Sequence, residues 1–332
     1  MRGRRNMTVL VVGGAGYIGS HMVRVLRERG IGVEVLDNLC TGHRTALEGV
    51  RLHEVDLLDS EGTRAAVRAC KPDCVMHFAA KALVAESVTD PGLYYRNNVT
   101  GTLNLLDAMR HAGVRDLIFS STCAVYGIPQ TAVIDENHPT NPINPYGNSK
   151  RCAELAIEDY CRSYGLLAIS LRYFNAAGAH PSGDLGEDHD PETHLIPNVL
   201  RYAAGLADSL TVFGNDHPTL DGYCVRDYVH VMDLCDAHAL AMQRLAAAPP
   251  GTFEVFNLGN GRGFSVKEVI ETAERVVGHR IEYAPAERRA GDPPTLVASA
   301  GRAHSELGWR PQYADLETII RTANAWHRGS GR

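Results

Sequence analysis

The chain has 332 residues, more than one domain usually contains, so a large α/β domain with a smaller second lobe is the natural expectation. Its hydrophobic fraction of 44% and charged fraction of 22% are those of a globular protein and exclude disordered, collagen-like and disulfide-scaffold classes. The net charge of −6, with basic residues scattered along the chain, argues against a nucleic-acid partner.

Short apolar runs alternate with helical stretches through the first half of the chain. Such alternation predicts βαβ units and a Rossmann-type, doubly wound parallel sheet. The predicted strands are 8–12, 33–36, 51–55, 74–78, 116–120 and 166–172, and the predicted helices are 18–29, 60–69, 93–112 and 146–164.

The residue composition changes after Asn175, where connections rich in Pro, Gly and Asp occupy 178–191 and 214–222. An Ala-rich helix at about 229–245 indicates a return to the first domain. We therefore predict a Rossmann domain over 7–175 with a return segment at about 229–248. A smaller C-terminal α/β substrate lobe is predicted over 176–228 and 249–330.

The cysteines and the N-terminus indicate the compartment. The eight cysteines include no CxxC pair, and the histidines do not cluster with them at metal-ligand spacing, so we expect reduced thiols and no metal. No apolar run reaches membrane-spanning length, and no signal-type segment follows the basic start. The sequence predicts a cytoplasmic protein with no membrane partner.

A glycine-rich turn follows the first predicted strand directly. Residues 13–19 read GGAGYIG, and helical apolar spacing begins at Ile18. Glycines at Gly13, Gly16 and Gly19 allow a tight turn and a close approach to a pyrophosphate, while the helix N-terminus offers free N–H groups. This strand–turn–helix setting predicts a dinucleotide site.

Two acidic residues end the next two strands. Asp37 lies about 20 residues beyond the turn, where a carboxylate accepts hydrogen bonds from ribose hydroxyls and repels a 2′-phosphate. We therefore predict NAD rather than NADP. Asp56, after the third strand, is placed to meet the adenine amino group.

Tyr146 and Lys150 form a YxxxK motif that puts both side chains on one helix face. A lysine ammonium and a nearby nicotinamide cation favour tyrosinate, and a tyrosine with a lowered pKa can take the proton of a sugar hydroxyl. Thr122, which follows a buried strand, is the predicted third catalytic group. Ser120 and Ser121 are close competitors for that role.

These motifs resemble the extended short-chain dehydrogenase/reductase family, and within it the enzymes that epimerise C4 of UDP-sugars. The resemblance covers nearly the whole chain. Its most specific segments are 16–21 (GYIGSH), 36–39 (LDNL), 77–80 (HFAA), 97–102 (NNVTGT), 172–175 (RYFN), 214–216 (GND) and 225–234 (VRDYVHVMDL).

The resemblance implies two sets of binding residues. The NAD set, including the residues of the glycine-rich turn, is Gly13, Gly16, Tyr17, Ile18, Gly19, Asp37, Asn38, Asp56, Leu57, Phe78, Ala79, Ala80, Asn97, Ser120, Tyr146, Lys150 and Tyr173. The UDP-sugar set is Thr122, Tyr146, Asn175, His194, Leu195, Thr211, Phe213, Arg226, Arg289, Asp292 and Leu296. Within it, Arg226 and Arg289 can neutralise a diphosphate and Asp292 can accept ribose hydroxyls.

The chain departs from the family pattern at three positions. Val12 stands where many relatives carry Thr, which removes one hydroxyl contact. Thr122 replaces Ser and keeps the hydroxyl. His194 replaces Asn in the uridine-nucleotide pocket, and its charge depends on pH.

The resemblance implies an isomerase of galactose metabolism that works through a transient 4-keto sugar, with no net redox. A 4,6-dehydratase would carry Asp-Glu where this chain has Cys123 and Ala124. Simple dehydrogenation of an alcohol stays open as a rival activity. A redox-sensing protein that binds NAD would keep the glycine-rich turn but would not need the whole catalytic set.

The choice of substrate centres on Leu296, which borders the hexose C2 substituent in the family. A bulky Tyr there blocks an N-acetyl group and a small residue admits it, so the intermediate Leu296 favours UDP-glucose and UDP-galactose, with some activity on N-acetylated sugars. UDP-N-acetylglucosamine and a UDP-pentose stay open as the main substrate. The resemblance also implies a homodimer with a four-helix interface built from the helices near 93–112 and 146–164.

Overall fold

The computed structural model describes residues 7–288 and 293–330, and these form two compact units. The first unit contains the described residues up to Tyr126, together with Thr140–Arg172 and Cys235–Phe256. The second contains Gly127–Pro139, Tyr173–Leu234 and the described residues from Asn257 onward. Residues 127–139, which the sequence analysis assigns to the first domain, join the second unit, where Ile134 bridges Ala298.

The helices and strands follow the predicted alternation through the first half of the chain. The strands are β1 (Thr8–Val12), β2 (Gly32–Asp37), β3 (Arg51–Glu54), β4 (Cys74–His77), β5 (Asp116–Thr122), β6 (Leu167–Tyr173), β7 (Asn175–Ala177), β8 (Thr211–Phe213), β9 (Val225–Arg226), β10 (Tyr228–His230), β11 (Phe253–Leu258), β12 (Phe264–Ser265), β13 (Ala284–Ala286) and β14 (Thr295–Leu296). The helices are α1 (Tyr17–Glu28), α2 (Ser60–Cys70), α3 (Val84–Thr89), α4 (Pro91–Tyr94), α5 (Gly101–Ala112), α6 (Pro145–Tyr164), α7 (Leu195–Ala203), α8 (Val231–Leu245), α9 (Val266–Val277) and α10 (Leu316–Ser330).

A seven-stranded sheet in the order β11-β6-β5-β4-β1-β2-β3 forms the centre of the first unit. The strands from β3 to β5 pair in parallel, and Val12 lies opposite both Leu36 and His77. The strand order reverses between β1 and β4, and ligands of open α/β sheets bind at such a reversal, beyond the carboxyl ends of the strands. The predicted Rossmann-type fold is confirmed.

Helices cover this sheet because each has one apolar face. Leu105 and Met109 of α5 and Ile157 of α6 are fully buried with the strand residues Leu10 and Phe119. None of the described helices combines the length and the hydropathy that a membrane crossing requires.

The second unit consists of small strand groups with helices. β10 pairs with β7, β13 pairs with β8, and β9 lies between β12 and β14. Its core includes Val199 of α7, Val269 of α9 and Ile319 of α10, all fully buried. α9 begins with a capping box in which Ser265 and Glu268 bond each other's backbone N–H.

Candidate functional site

The glycine-rich turn brings three backbone segments into close contact. Gly13 has a φ of +80°, and a Cβ on it would lie 2.4 Å from the backbone nitrogen of Ala79. A Cβ on Gly19 would lie 2.1 Å from the carbonyl oxygen of Gly13, and Gly16 is the N-cap of α1. A side chain therefore fits at neither Gly13 nor Gly19. Gly16 has no side chain to cap α1, so the first N–H groups of the helix are available to a pyrophosphate.

Asp37, at the end of β2, accepts a hydrogen bond from the glycine-rich turn. Its Oδ2 accepts from the backbone N–H of Ala15 at 2.9 Å, and its Oδ1 accepts from that of Leu39 at 2.8 Å. Each carboxylate oxygen has a second lone pair, so the largely buried Asp37 can still accept from ribose hydroxyls. These residues fit NAD.

A second acidic group lies beside this strand end. Asn38 donates from Nδ2 to Oδ2 of Asp56 at 2.8 Å, and the N–H of Leu58 donates to Asp56 Oδ1 at the same distance. Leu57 between them is buried. The bond between Asn38 and Asp56 joins the carboxyl ends of β2 and β3, where the sequence predicts the adenosine contacts.

The segment after β4 carries three predicted cofactor residues, of which Phe78 and Ala79 each donate a backbone N–H to the carbonyl of Val12. The Phe78 ring lies 4.7 Å from the ring of His238, centroid to centroid. Nε2 of His238 is 3.2 Å from Oγ of the predicted Ser120. The structure thus joins Phe78 and Ser120 through His238, which the sequence analysis did not select. Ala80 follows directly and is half-buried.

Asn98 is another residue that the sequence analysis did not assign a role. Its Nδ2 donates to the Lys81 carbonyl at 3.0 Å and to Ser149 Oγ at 2.9 Å, while its Oδ1 accepts from the N–H of Lys81 at 2.8 Å. The predicted Asn97 donates to that same Oδ1 at 2.9 Å. Asn98 therefore ties the segment after β4 to α6.

The YxxxK pair lies in the first turns of α6. Asn144 caps this helix by accepting from the N–H of Gly147 at 2.8 Å, and Pro145 occupies its first turn. A Cβ on Gly147 would lie 2.5 Å from the Ala124 carbonyl oxygen, so the helix start is packed tightly against the turn that follows β5. Tyr146 and Lys150 are one helical turn apart, as the spacing predicts.

Lys150 is 4% exposed, with its Nζ 4.5 Å from the centroid of the Phe119 ring. Burial lowers its pKa to about 7, although the negative charge of Glu154 acts in the opposite direction. The Tyr146 ring is half-buried and lies edge-on to Tyr94, with the ring centroids 6.4 Å apart. The pair therefore occupies a water-poor region, where proton positions respond strongly to nearby charge.

Thr122, the predicted third catalytic group, ends β5 and is largely buried. Its Oγ1 accepts from the N–H of Ala124 at 3.1 Å, which caps the single helical turn Cys123–Val125. A hydroxyl that accepts one bond keeps its own proton for another partner. Of the two competing serines, Ser121 donates to Glu154 at 2.7 Å and Ser120 bonds His238.

A buried network supports α6 one turn beyond Lys150. Glu154 accepts from Ser121 Oγ, from Ser170 Oγ at 2.8 Å, and from Arg172 through Nε at 2.8 Å and Nη2 at 2.6 Å. Burial favours the neutral acid, but the Arg172 and serine hydrogen bonds outweigh it and lower the pKa of Glu154. Glu154 is not among the predicted site residues, although it follows Lys150 at the spacing that separates Lys150 from Tyr146.

In the second unit, two predicted UDP-sugar residues are strand neighbours. Arg226 on β9 lies in register with Leu296 on β14, and it is largely buried. One guanidinium N–H donates to the carbonyl of Val225 at 2.9 Å. An arginine held in this way is oriented before any anion arrives.

Asn175 lies near Arg226 because the two strand segments are joined at Asp227. The N–H of Asn175 donates to the Asp227 carbonyl at 2.9 Å. The Asp227 carboxylate accepts from the N–H groups of Asn260, Gly261 and Ala298 at 2.8–3.2 Å. Burial raises the pKa of Asp227 to about 6 against these hydrogen bonds.

The remaining predicted residues lie on separate elements. Tyr173 ends β6, Thr211 and Phe213 are exposed on β8, His194 is the N-cap of α7, and Leu195 is its first residue. Arg289 and Asp292 lie outside the described residues.

Comparison with known proteins gives one consistent result. The NAD dependent epimerase/dehydratase family matches residues 9–259. A UDP-glucose 4-epimerase of Halalkalibacterium halodurans is 50% identical over 322 residues, which are 97% of this chain and 96% of that protein. The crystal structure of UDP-glucose 4-epimerase from Brucella ovis in complex with NAD is 49% identical, with a TM-score of 0.92 over 96% of this chain and 97% of that one.

A third relative was crystallised with a nucleotide as well. The UDP-glucose 4-epimerase from Bifidobacterium longum, in complex with NAD⁺ and UDP, is 37% identical, with a TM-score of 0.93 over 98% of this chain and 99% of that one. The resemblance to enzymes that epimerise UDP-sugars is thereby confirmed. The chain belongs to the NAD dependent epimerase/dehydratase family.

Proposed function

We propose that this chain catalyses the NAD-dependent 4-epimerisation of UDP-hexoses, interconverting UDP-glucose and UDP-galactose in galactose metabolism. The observation that carries the proposal is the placement of Tyr146 and Lys150 one turn apart at the start of α6, with Lys150 buried. The curated relatives with this name match nearly the full length of the chain.

The first unit is assigned the cofactor and the proton chemistry. The glycine-rich turn and Asp37 would hold NAD, which when bound would supply a reversible acceptor for the hydride on C4 of the hexose. Tyr146 takes the proton of the C4 hydroxyl and afterwards gives it back. Lys150 stabilises the tyrosinate, and Thr122 orients the hydroxyl.

The second unit is assigned the UDP group. Arg226, with Arg289 and Asp292, is proposed to anchor the diphosphate and ribose, while Leu296 and Phe213 contact the rest of the ligand. The nucleotide is bound strongly and the hexose only weakly. The 4-keto sugar can therefore rotate about the diphosphate, so that hydride returns to the opposite face of the sugar.

The direct test uses purified protein and each UDP-sugar separately. UDP-galactose should yield UDP-glucose without added reductant, and chromatographic separation of the 4-epimers measures the yield. Absence of this interconversion would overturn the proposal. Parallel incubation with UDP-N-acetylglucosamine and a UDP-pentose measures how far Leu296 admits other sugars.

We further propose a homodimer in the cytoplasm. Large apolar side chains are exposed on neighbouring helical segments of the first unit, at Val84, Val88, Tyr95 and Leu155. Burial of such side chains drives association. The eight cysteines, all in the described part of the chain, form no disulfide, as in proteins of reducing compartments. Light scattering should give twice the chain mass for the wild type and the mass of one chain for Leu155→Glu.

A further inference from the structure

A group of metal-type ligands lies in the second unit, between β7 and α7. Glu187, His189, Glu192 and His194 each offer one ligand atom, and these four atoms lie within 4.8 Å of one another. The spacing is ExHxxExH, so one short segment supplies all four. The absence of histidine–cysteine spacing predicts no metal, but the ligands of this group are histidines and carboxylates.

The four imidazole–carboxylate distances in the cluster bracket the ligand spacing of a tetrahedral zinc site. Nδ1 of His194 is 2.8 Å from Glu187 Oε1 and 3.2 Å from Glu192 Oε1. Nδ1 of His189 is 3.3 Å from Glu187 Oε1 and 3.6 Å from Glu192 Oε2. Zinc bound to nitrogen and oxygen at about 2.0–2.1 Å places neighbouring ligand atoms about 3.3–3.4 Å apart.

Burial and charge agree with this geometry. The side chains of Glu187 and Glu192 are 5% and 4% exposed, whereas His189 and His194 are more open, at 31% and 48%. Two carboxylates in so little water need positive charge beside them. The imidazoles lie on the open side, where an ion can enter.

Protons on both imidazoles would be the competing source of that charge. Each imidazole lies within 3.6 Å of both carboxylates, so a proton on either ring would be paired with them. That state puts two cations side by side, with ring centroids 5.3 Å apart. One divalent ion balances the same two carboxylates while releasing both protons to solvent.

We propose that Glu187, His189, Glu192 and His194 bind one divalent transition-metal ion of the zinc class. Two imidazole nitrogens with two carboxylate oxygens are a donor set that zinc accepts. The ion would link the loop after β7 to the start of α7, because His194 is the N-cap of that helix. Nδ1 of His194 would bind the ion, which leaves the other ring nitrogen for the proposed contact with the substrate.

Calorimetric titration of tag-free, chelator-treated full-length protein with ZnCl₂ tests the proposal. We expect one Zn²⁺ per chain, and at least about tenfold weaker binding after His189→Ala or Glu192→Gln. His279→Ala is the matched control, because that exposed histidine lies outside the cluster. Equal affinity in the wild type, His189→Ala and His279→Ala would overturn the proposal, as would the absence of a stoichiometric site.

A second measurement needs no variant. Co²⁺ in a tetrahedral site absorbs strongly in the visible region, whereas hydrated Co²⁺ absorbs weakly. We expect the intense band to saturate at one Co²⁺ per chain and to disappear when Zn²⁺ is added. A spectrum equal to that of hydrated Co²⁺ would show that the cluster is only a set of imidazolium–carboxylate pairs, whatever the epimerase assay shows.

Discussion

Glu154 and Arg172 form a bidentate ion pair, with Nε and Nη2 of Arg172 at 2.8 and 2.6 Å from the two carboxylate oxygens. Nη1 of Arg172 donates to the Tyr126 hydroxyl at 3.1 Å. The Glu154 side chain is fully buried and that of Arg172 is 5% exposed. If one partner were removed, water could not solvate the charge of the other.

Glu154→Gln should therefore destabilise the protein by about 3–5 kcal/mol, because it leaves the Arg172 charge buried without a counter-charge. Glu158→Gln is the matched control on the same helix, since Glu158 pairs with the exposed Arg162 and should cost less than about 1 kcal/mol. Urea denaturation followed by circular dichroism measures both. Similar losses for the two variants would contradict the buried pair's role.

Gly13→Ala should abolish NAD retention, because the new Cβ would collide with the backbone at Ala79. Gly30→Ala shares the positive φ, at +70°, but meets nothing within 4 Å. It should cost only about 1–2 kcal/mol of backbone strain and keep the cofactor. Chromatographic quantification of the NAD released by acid distinguishes the two variants. A Gly13→Ala protein that still contains NAD would contradict the assignment of the glycine-rich turn as the NAD site.

Tyr146→Phe should lower turnover of UDP-galactose by about 100-fold or more, because it removes the group that exchanges the C4 proton. Binding of NAD and UDP should persist, since the ring remains. Tyr164→Phe, at the exposed end of α6, should retain the wild-type rate. A near-normal rate in Tyr146→Phe would remove Tyr146 from the chemistry.

Lys150 should make stability depend on pH. Its pKa falls from 10.5 to about 7 on folding, so between those values the unfolded chain holds a proton that the native protein has released. The cost of burying Lys150 is complete below about pH 7 and disappears above about pH 10.5. The free energy of unfolding of the wild type, relative to that of Lys150→Met, should therefore rise by up to about 1.4 kcal/mol per pH unit between those two pH values.

The control for this pH series is Lys267→Met, because the Lys267 side chain is 48% exposed. Its stability should run parallel to that of the wild type. Denaturation of the three proteins between pH 6.5 and 9.5 makes the measurement. Parallel curves for Lys150→Met and the wild type would contradict the shifted lysine.

Leu296→Tyr should reduce conversion of UDP-N-acetylglucosamine more than conversion of UDP-glucose, because the larger side chain fills space that an N-acetyl group needs. Leu296 is half-buried beside Arg226, so the change acts close to the proposed diphosphate anchor. The ratio of kcat/KM for the two sugars in one variant is its own control. An unchanged ratio would place the C2 substituent elsewhere.

The sequence predicts helix ends well where capping residues lie next to the helix. The predicted helix 146–164 matches α6 because Asn144, Pro145 and Gly165 mark its ends. The predicted single helix 93–112 is instead α4, a π-helical stretch at Tyr95–Thr100, and α5. Apolar spacing does not reveal a change in backbone hydrogen bonding of this kind.

The predicted site was incomplete for a different reason. Asn98 bonds Ser149 across 51 positions and Ser120 bonds His238 across 118. Contacts of this range depend on how strands and helices pack, and no spacing rule contains them. Glu154 is the exception, since its position on the Tyr146 and Lys150 face was available in the sequence.

The first unit's sheet ends at β11, next to β6, yet 79 residues separate Tyr173 from Phe253 along the chain. At about 5–20 residues per second, a ribosome needs roughly 4–16 s to synthesise that interval. During this time β6 is an uncovered sheet edge in the nascent chain, able to pair with other strands. The emergence of β11 therefore sets the earliest moment at which the NAD-binding half can finish folding.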